Sequence, residues 1–381
     1  MISWKNILLF AAVATAPLTA TAELVWTKDE GWKIQGGVLA DLGLTTPEQR
    51  RTALEKMNEA KRLQDEGSYS SALSIYNDVI EEYPGSDFAA EAFFQRGVVL
   101  FKRSEFEGAF GDLDELLRKH PEFHRFNDII EEQYSIATAV KNGERPYLWG
   151  WMPWFKNYTK GLEFFDTINR NAPYGPRAEQ ALYDKGMLAL KIDKNAEALD
   201  AFERLINNYP NSKLTPDAYI ALAQTHSASV IGPQWDQGST IDALNFYNDL
   251  VALFPDSHHA PEALKLADEM REVLAQNRLD LGLFYYERRN NNRAAAIFFN
   301  EAINAAPESE TAKQAQKLLA DIRAGKKAAR NPMDWLFGRY PQSAAGDFVD
   351  APSQAGLETM GFTTEDEKPG NTPVPAAPSH E

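Results

Sequence analysis

Cysteine is entirely absent from this chain of 381 residues. Without a thiol there can be no disulfide, no thiolate-bound zinc or iron–sulfur cluster and no cysteine nucleophile. Positive charge is also scarce, since 39 Lys and Arg stand against 55 Asp and Glu, which gives a formal net charge of −16. Such an excess of negative charge opposes non-specific binding to nucleic acids and to anionic lipid surfaces. The composition therefore excludes cysteine chemistry and argues against polybasic binding proteins.

Motifs that carry catalytic chemistry are lacking as well. The sequence contains no G-x-S-x-G, no phosphate-binding P-loop and no G-x-G-x-x-G fingerprint. His120 and His124 have the spacing of two zinc ligands, but Pro121 lies between them and interrupts a regular helical face. We therefore predict that the protein is not an enzyme, with no catalytic residue, no cofactor and no metal site.

A hydrophobic run of about ten residues occurs near the start of the chain, at positions 7–16. It follows Lys5 and precedes the small-residue pattern Ala20-Thr21-Ala22. A transmembrane helix needs roughly 20 apolar residues, so a membrane anchor is the weaker interpretation. We expect residues 1–22 to be a cleaved signal peptide and the mature protein to lie in the periplasm or at the inner face of the outer membrane.

A proline recurs six times after a stretch with helical periodicity. In each repeat a small residue stands twelve positions before the proline, a large apolar residue eight before it and an apolar residue five before it. Residues at this spacing share one helical face, and the proline then ends the helix. The prolines are Pro84, Pro121, Pro173, Pro210, Pro255 and Pro307, and the large residues are Tyr76, Leu113, Phe165, Phe202, Tyr247 and Phe299.

In three of the repeats a second small residue lies twelve positions further upstream, namely Ala60, Gly97 and Gly186. Small residues in both helices of a pair let the two helices approach closely, which is the physical basis of the tetratricopeptide (TPR) unit. The sequence therefore predicts an all-α fold, a TPR-type helix-turn-helix solenoid of about six helix pairs over residues 49–325.

The regions outside the repeats differ from one another in composition. Residues 23–48 contain Trp26 and Trp32 and are expected to form an extended or hairpin-like N-terminal lead-in. Residues 326–345 form a C-terminal aromatic segment. Residues 346–381 are rich in Pro, Ala, Ser, Thr and acid, a composition that cannot bury a core, so we predict a disordered tail there.

Binding is the function that remains for such an architecture. The first helix of each TPR pair lines a concave groove suited to a peptide or a partner helix. The alternative is that several of these groove residues simply pack between repeats. The candidate partner-binding residues at groove positions are Met57, Lys61, Phe94, Phe101, Tyr183 and Met187.

A tryptophan cluster in the third repeat is a second candidate. Trp149, Trp151 and Trp154 fall within six positions of one another. The helical stripe of this repeat is already complete, so the cluster is surplus to its core. We predict that it docks a partner, while a membrane interface or a cover over the solenoid is the alternative.

The last two repeats contain the runs Trp235-Asp236-Gln237, Phe254-Pro255-Asp256-Ser257 and Phe284-Tyr285-Tyr286-Glu287-Arg288, and these runs resemble a known family. Members of the BamD family are periplasmic TPR lipoproteins that scaffold insertion of β-barrel proteins into the outer membrane. The resemblance implies a non-enzymatic scaffold whose partners are the β-barrel assembly subunit or unfolded outer-membrane protein segments, with membrane contact only through partners. A generic periplasmic TPR adaptor for cell-wall or secretion machinery is the alternative.

The sequence also departs from that family. BamD proteins begin with a lipidated cysteine, and this chain has no cysteine that could carry a lipid. The Trp-containing segment at 23–48 and the Pro-rich segment at 346–381 are further differences.

Overall fold

The computed structural model describes residues 23–35, 43–44, 46–235 and 237–326. Helices dominate this part of the chain, which confirms the all-α, TPR-type prediction. None of these helices is long and apolar enough to cross a membrane. The helices are α1 (Pro47–Asp65), α2 (Tyr69–Glu82), α3 (Asp87–Lys102), α4 (Phe106–Lys119), α5 (Phe126–Asn142), α6 (Tyr158–Asn171), α7 (Ala178–Lys191), α8 (Asn195–Asn208), α9 (Thr215–Ala228), α10 (Gly238–Leu253), α11 (Ala260–Leu283), α12 (Asn292–Ala305) and α13 (Glu310–Arg323). The predicted signal peptide and the predicted disordered tail lie outside the described residues.

The repeat pattern corresponds to the second helix of each pair. Helices α2, α4, α6, α8, α10 and α12 each end two residues before a repeat proline. The small, large and apolar positions of the stripe are buried in every one of these helices. The sequence prediction of the helical stripe is thus confirmed in all six repeats.

Small residues in the first helices permit the close packing within a pair. A Cβ atom added to Gly97 would lie 3.1 Å from the Leu113 side chain, and one added to Gly186 would lie 2.4 Å from the Phe202 ring. In both pairs the large residue of the stripe therefore packs directly on the glycine of the preceding helix.

Another glycine of this kind, Gly282 in α11, does not follow the spacing of twelve. Its added Cβ would lie 2.4 Å from the Phe299 ring. Gly282 stands thirteen positions before Ala295, and a π-helical turn, Phe284–Arg288, follows it. A π-helical turn contains one more residue than an α-helical turn, which accounts for the shifted spacing.

The chain divides after Ala218, within α9, into two compact units. In the first unit, one hydrophobic core cluster includes Trp32, Tyr76 and Phe88. The second unit has one cluster around Tyr247 and another around Phe299. Within each unit the helices pack chiefly against their neighbours in sequence, as expected for stacked helix pairs.

Two short antiparallel hairpins complete the first unit. Strands β1 (Glu23–Thr27) and β2 (Gly31–Gln35) pair with each other, as do β3 (Tyr147–Leu148) and β4 (Met152–Pro153). The first hairpin is tied to α1, because the backbone N–H of Trp32 donates a hydrogen bond of 2.7 Å to Asn58 Oδ1. Asn58 Nδ2 in turn donates to the Trp32 carbonyl at 3.3 Å.

Candidate docking site

The segment between α5 and α6 is a hairpin with an exposed aromatic surface, which we call the aromatic hairpin (residues 147–155). Trp149 and Gly150 at its tip have positive φ angles of 54° and 71°, a conformation that reverses the chain tightly. Trp149 is 60% exposed, Trp151 70%, Trp154 50% and Phe155 80%. Large apolar side chains grouped in this way at a surface are typical of interaction sites.

Contacts to the link between α3 and α4 hold the aromatic hairpin in place. The Tyr147 N–H donates to the Ser104 carbonyl at 2.9 Å. The Arg103 guanidinium donates to the Trp149 carbonyl, while its Nε lies 2.8 Å from Glu105 Oε1. The tip of the hairpin is therefore anchored through backbone groups, which leaves its aromatic rings free at the surface.

A groove of about 360 Å³ runs between the aromatic hairpin and the first turn of α4. Phe106 lies at its base and is 3% exposed. Burial raises the pKa of the Glu105 carboxyl at the edge of this groove, and the charge of Arg103 partly opposes that shift. The groove is lined by Glu105, Phe106, Glu107, Gly108, Pro146, Tyr147, Leu148, Trp154, Phe155, Lys156 and Asn157.

Cations of the chain itself cover several other aromatic rings of the first unit. The Arg125 guanidinium lies 4.2 Å from the centroid of Phe94, and Arg177 lies 4.7 Å from that of Tyr134. Over the described ranges, no such cation–π contact involves the tryptophans of the aromatic hairpin. The faces of those indoles are thus not covered by a cation from the part of the chain that the structure describes.

Four of the residues predicted for the groove have accessible surface. Lys61 pairs with Asp65 at 2.8 Å, and its Nζ lies 4.9 Å from the Trp26 ring centroid. Phe101 and Tyr183 are half-buried, and Met187 is 41% exposed. Their role in binding stays a prediction.

Met57 and Phe94 require a correction, because neither side chain is available at the surface. Met57 is fully buried within the core cluster that contains Trp32 and Tyr76. Phe94 is 4% exposed and lies beneath the Arg125 guanidinium. For these two residues the alternative interpretation, packing between repeats, is the one observed.

A buried polar network in the first unit was not anticipated from the sequence. Glu91 on α3 is 1% exposed, accepts a hydrogen bond of 2.8 Å from Gln95 Nε2 and pairs with Arg125 at 2.9 Å. Burial raises the pKa of the Glu91 carboxyl to about 7, although Arg125 and Gln95 both act to lower it. Arg125 lies 34 positions away in sequence, so no local pattern marks the pair.

This network adjoins a second groove of about 390 Å³, next to the first hairpin. Its walls are more polar than those of the groove beside the aromatic hairpin. The lining residues are Leu24, Val25, Trp26, Trp32, Lys61, Gln95, His124 and Arg125.

Comparisons with known proteins agree with this architecture. Residues 155–331 match the family described as "YfiO: Outer membrane lipoprotein", and residues 57–122 match a tetratricopeptide-repeat family. The outer membrane protein assembly factor BamD of Caulobacter vibrioides is 24% identical over 129 residues, which are 34% of this chain and 42% of that protein. BamD of Xylella fastidiosa strain 9a5c is 27% identical over 205 residues, 48% of this chain and 70% of that protein.

Two solved structures that are similar share 16% and 15% identity with this chain. The MamA protein superposes with a TM-score of 0.31, covering 57% of this chain and 91% of that one. PilF of Pseudomonas aeruginosa has a TM-score of 0.28, covering 71% of this chain and 99% of that one. The chain spans less than half the length of the first BamD relative, so the likeness to that protein is one of a shared region. From the repeat geometry and the two family matches together, the chain is a tetratricopeptide-repeat protein that is similar to BamD over part of its length, within residues 155–331.

Proposed function

We propose that this protein is a non-enzymatic scaffold that holds protein partners during the assembly of β-barrel proteins into the outer membrane. The observation that carries the proposal is the match of residues 155–331 to an outer-membrane lipoprotein family within a chain built of TPR helix pairs. Stacked helix pairs present extended surfaces for protein partners, and this is the ordinary use of such repeats.

The proposal includes a place in the cell and a set of partners. We infer that residues 1–22 direct export, so that the mature chain works in the periplasm at the inner face of the outer membrane. Its partners are the β-barrel assembly subunit or unfolded outer-membrane protein segments, and it reaches the membrane through them. N-terminal sequencing of the protein from the cell envelope should find Glu23 as the first residue.

Candidate contact residues on the described surface are the exposed or half-buried members of the predicted set. They are Lys61, Phe101, Tyr183, Met187, Trp149, Trp151 and Trp154. We place these residues within a repeat region over 49–325, preceded by the lead-in at 23–48 and followed by the segments 326–345 and 346–381.

Affinity capture tests the scaffold role. The tagged full-length protein, expressed in its own host and isolated from detergent-solubilised envelopes, is expected to bring down the β-barrel assembly subunit. An untagged strain and a tagged, unrelated TPR protein serve as controls. Recovery of cell-wall or secretion proteins instead of that subunit would contradict the proposal and favour the generic adaptor.

A further inference from the structure

We propose that the aromatic hairpin and its groove bind a partner segment in which a bulky apolar side chain stands next to an Arg or Lys. This inference rests on the scaffold role proposed above and names the chemistry of one of its partners. It is carried by the exposed Trp154 and Phe155, the groove that they line and the exposed carboxylate of Glu107 at the edge of that groove.

The preference for a bulky apolar side chain follows from the shape and the lining of the groove. Its volume of about 360 Å³ lies at the lower end of the roughly 300–1,000 Å³ typical of ligand pockets. Phe106 forms an apolar base, and Trp154 and Phe155 form one wall. A large apolar side chain placed there would remove from water aromatic surface that the fold leaves 50% and 80% exposed.

The preference for a cation follows from the charges and rings around the same groove. Glu107 in the first turn of α4 places an exposed carboxylate along one edge, next to the N-cap residue Glu105, whose own carboxylate already pairs with Arg103 at 2.8 Å. The exposed indole of Trp154 lines the groove and offers a π face that no cation of the described residues covers, while the exposed Trp151 stands in the same hairpin outside the groove lining. A Lys or Arg of a partner gains from both, through charge pairing and through cation–π attraction.

Charge also fixes the direction in which the segment lies. Lys156 lines the groove together with the aromatic wall, whereas the exposed carboxylate of Glu107 belongs to α4. A cation on the partner is therefore drawn towards α4 and repelled from Lys156. The net charge of −16 adds a long-range attraction for a cationic partner and opposes an anionic lipid surface, which is the competing occupant of exposed tryptophans.

Peptide binding to the full-length protein tests the inference. The first probe is a short, end-blocked, Trp-free peptide with a Leu-Phe-Arg-Lys centre. The second replaces Arg and Lys with Glu, and the third replaces Leu and Phe with Ser. Binding is followed by isothermal titration calorimetry and by the tryptophan emission of the protein. We expect the first peptide to bind at least tenfold more tightly than either of the others, with an affinity that falls as salt rises.

Variants of the protein locate the binding site. The double substitution Trp151→Ala and Trp154→Ala should weaken binding of the first peptide at least tenfold. Trp235→Ala removes an indole of similar exposure, 62%, that lies outside the aromatic hairpin and should leave binding unchanged. Glu107→Lys should weaken binding of the cationic peptide and strengthen binding of the Glu-substituted peptide. Since Glu107 is exposed, this charge reversal stays informative even if the tryptophan variant folds poorly.

Several results would overturn the inference. Equal binding of the cationic and Glu-substituted peptides would show that the groove does not select a cation. Unchanged affinity in the Trp151/Trp154 variant would place binding elsewhere. Binding of phosphatidylethanolamine–phosphatidylglycerol vesicles through these tryptophans, without peptide binding, would identify a lipid surface instead. A variant that no longer binds the peptide could still capture the β-barrel assembly subunit in full. That result would leave the scaffold role intact and would show that the aromatic hairpin does not contact that subunit.

Discussion

Among single residues, Glu91 is the clearest case of a charged side chain that folding removes from water. Its carboxyl is 1% exposed, Oε1 is held by Arg125 and Gln95, and Oε2 has no hydrogen-bond partner within the described residues. Burial is the largest influence on this group and raises its pKa to about 7. The stability of the protein should therefore depend on whether Glu91 is protonated.

Replacement of Glu91 with Gln gives a testable pH dependence. The folded state binds the proton more tightly than the unfolded chain, in which the pKa of a Glu carboxyl is about 4.5. Proton binding thus favours folding below pH 4.5, and this contribution is lost as the pH rises through 7. The free energy of unfolding of Glu91→Gln, relative to the natural protein, should increase between pH 5 and pH 8 by up to about 3 kcal/mol.

Urea denaturation at a series of pH values measures this difference. The glutamine has nearly the shape of the protonated acid but does not titrate, so the comparison isolates the ionisation. Parallel stability profiles for the two proteins would contradict the prediction and would mean that Arg125 fully compensates the buried charge.

Side-chain accessibility at this scale could be predicted only in part. The stripe residues were assigned to the core correctly because one helix supplies their whole pattern. Met57 and Phe94 were assigned to the groove, but their burial depends on groups far away in sequence. Met57 shares a cluster with Trp32, and Phe94 lies under Arg125. The periodicity of a single helix cannot show that its side chains are buried by residues far away in sequence.

For whole elements, the contact between paired helices depends on glycine. Gly186 on α7 leaves space that the Phe202 ring of α8 fills, and an added Cβ would lie 2.4 Å from that ring. The contact is therefore closer than any residue with a Cβ allows, unless the ring or the helix moves.

Gly186→Ala should destabilise the protein by about 1–3 kcal/mol, because the new methyl group overpacks the contact with Phe202. Phe202→Leu removes the part of the ring nearest Gly186, so the double variant should lose less stability than the sum of the two single variants. Thermal or urea denaturation of the four proteins in a double-mutant cycle measures the coupling. Additive losses would show that the two residues do not press on each other.

The sequence predicted the second helices better than the elements between them. Each second helix repeats one pattern and ends two residues before a proline, and all six patterns correspond to a helix. The β3–β4 hairpin has no such repetition, and its turn depends on the tertiary contact between Arg103 and Trp149. The π-helical turn after Gly282 likewise adds a residue that only the structure shows. Exposure of the tryptophans was predicted because the repeat had no space left for them.

On the scale of the whole molecule, the fold is a chain of local contacts. Each helix packs chiefly on those before and after it in sequence within its own unit. In such repeat proteins stability is close to a sum over repeats and their nearest-neighbour interfaces. The all-α repeat architecture was predictable for this reason, whereas the division after Ala218 leaves no mark in composition.

A substitution that destabilises one repeat should therefore leave distant repeats folded, and a matched pair of variants tests this. Ala198 in α8 and Ala302 in α12 are both fully buried stripe residues, one in each unit. Ala198→Leu should overpack its repeat at a cost on the order of 1–3 kcal/mol. Amide hydrogen exchange should then lose protection in α7 and α8, while α12 and α13 keep theirs. Ala302→Leu should give the reverse pattern, and an equal loss in all four helices from either variant would show that the described chain unfolds as one cooperative unit.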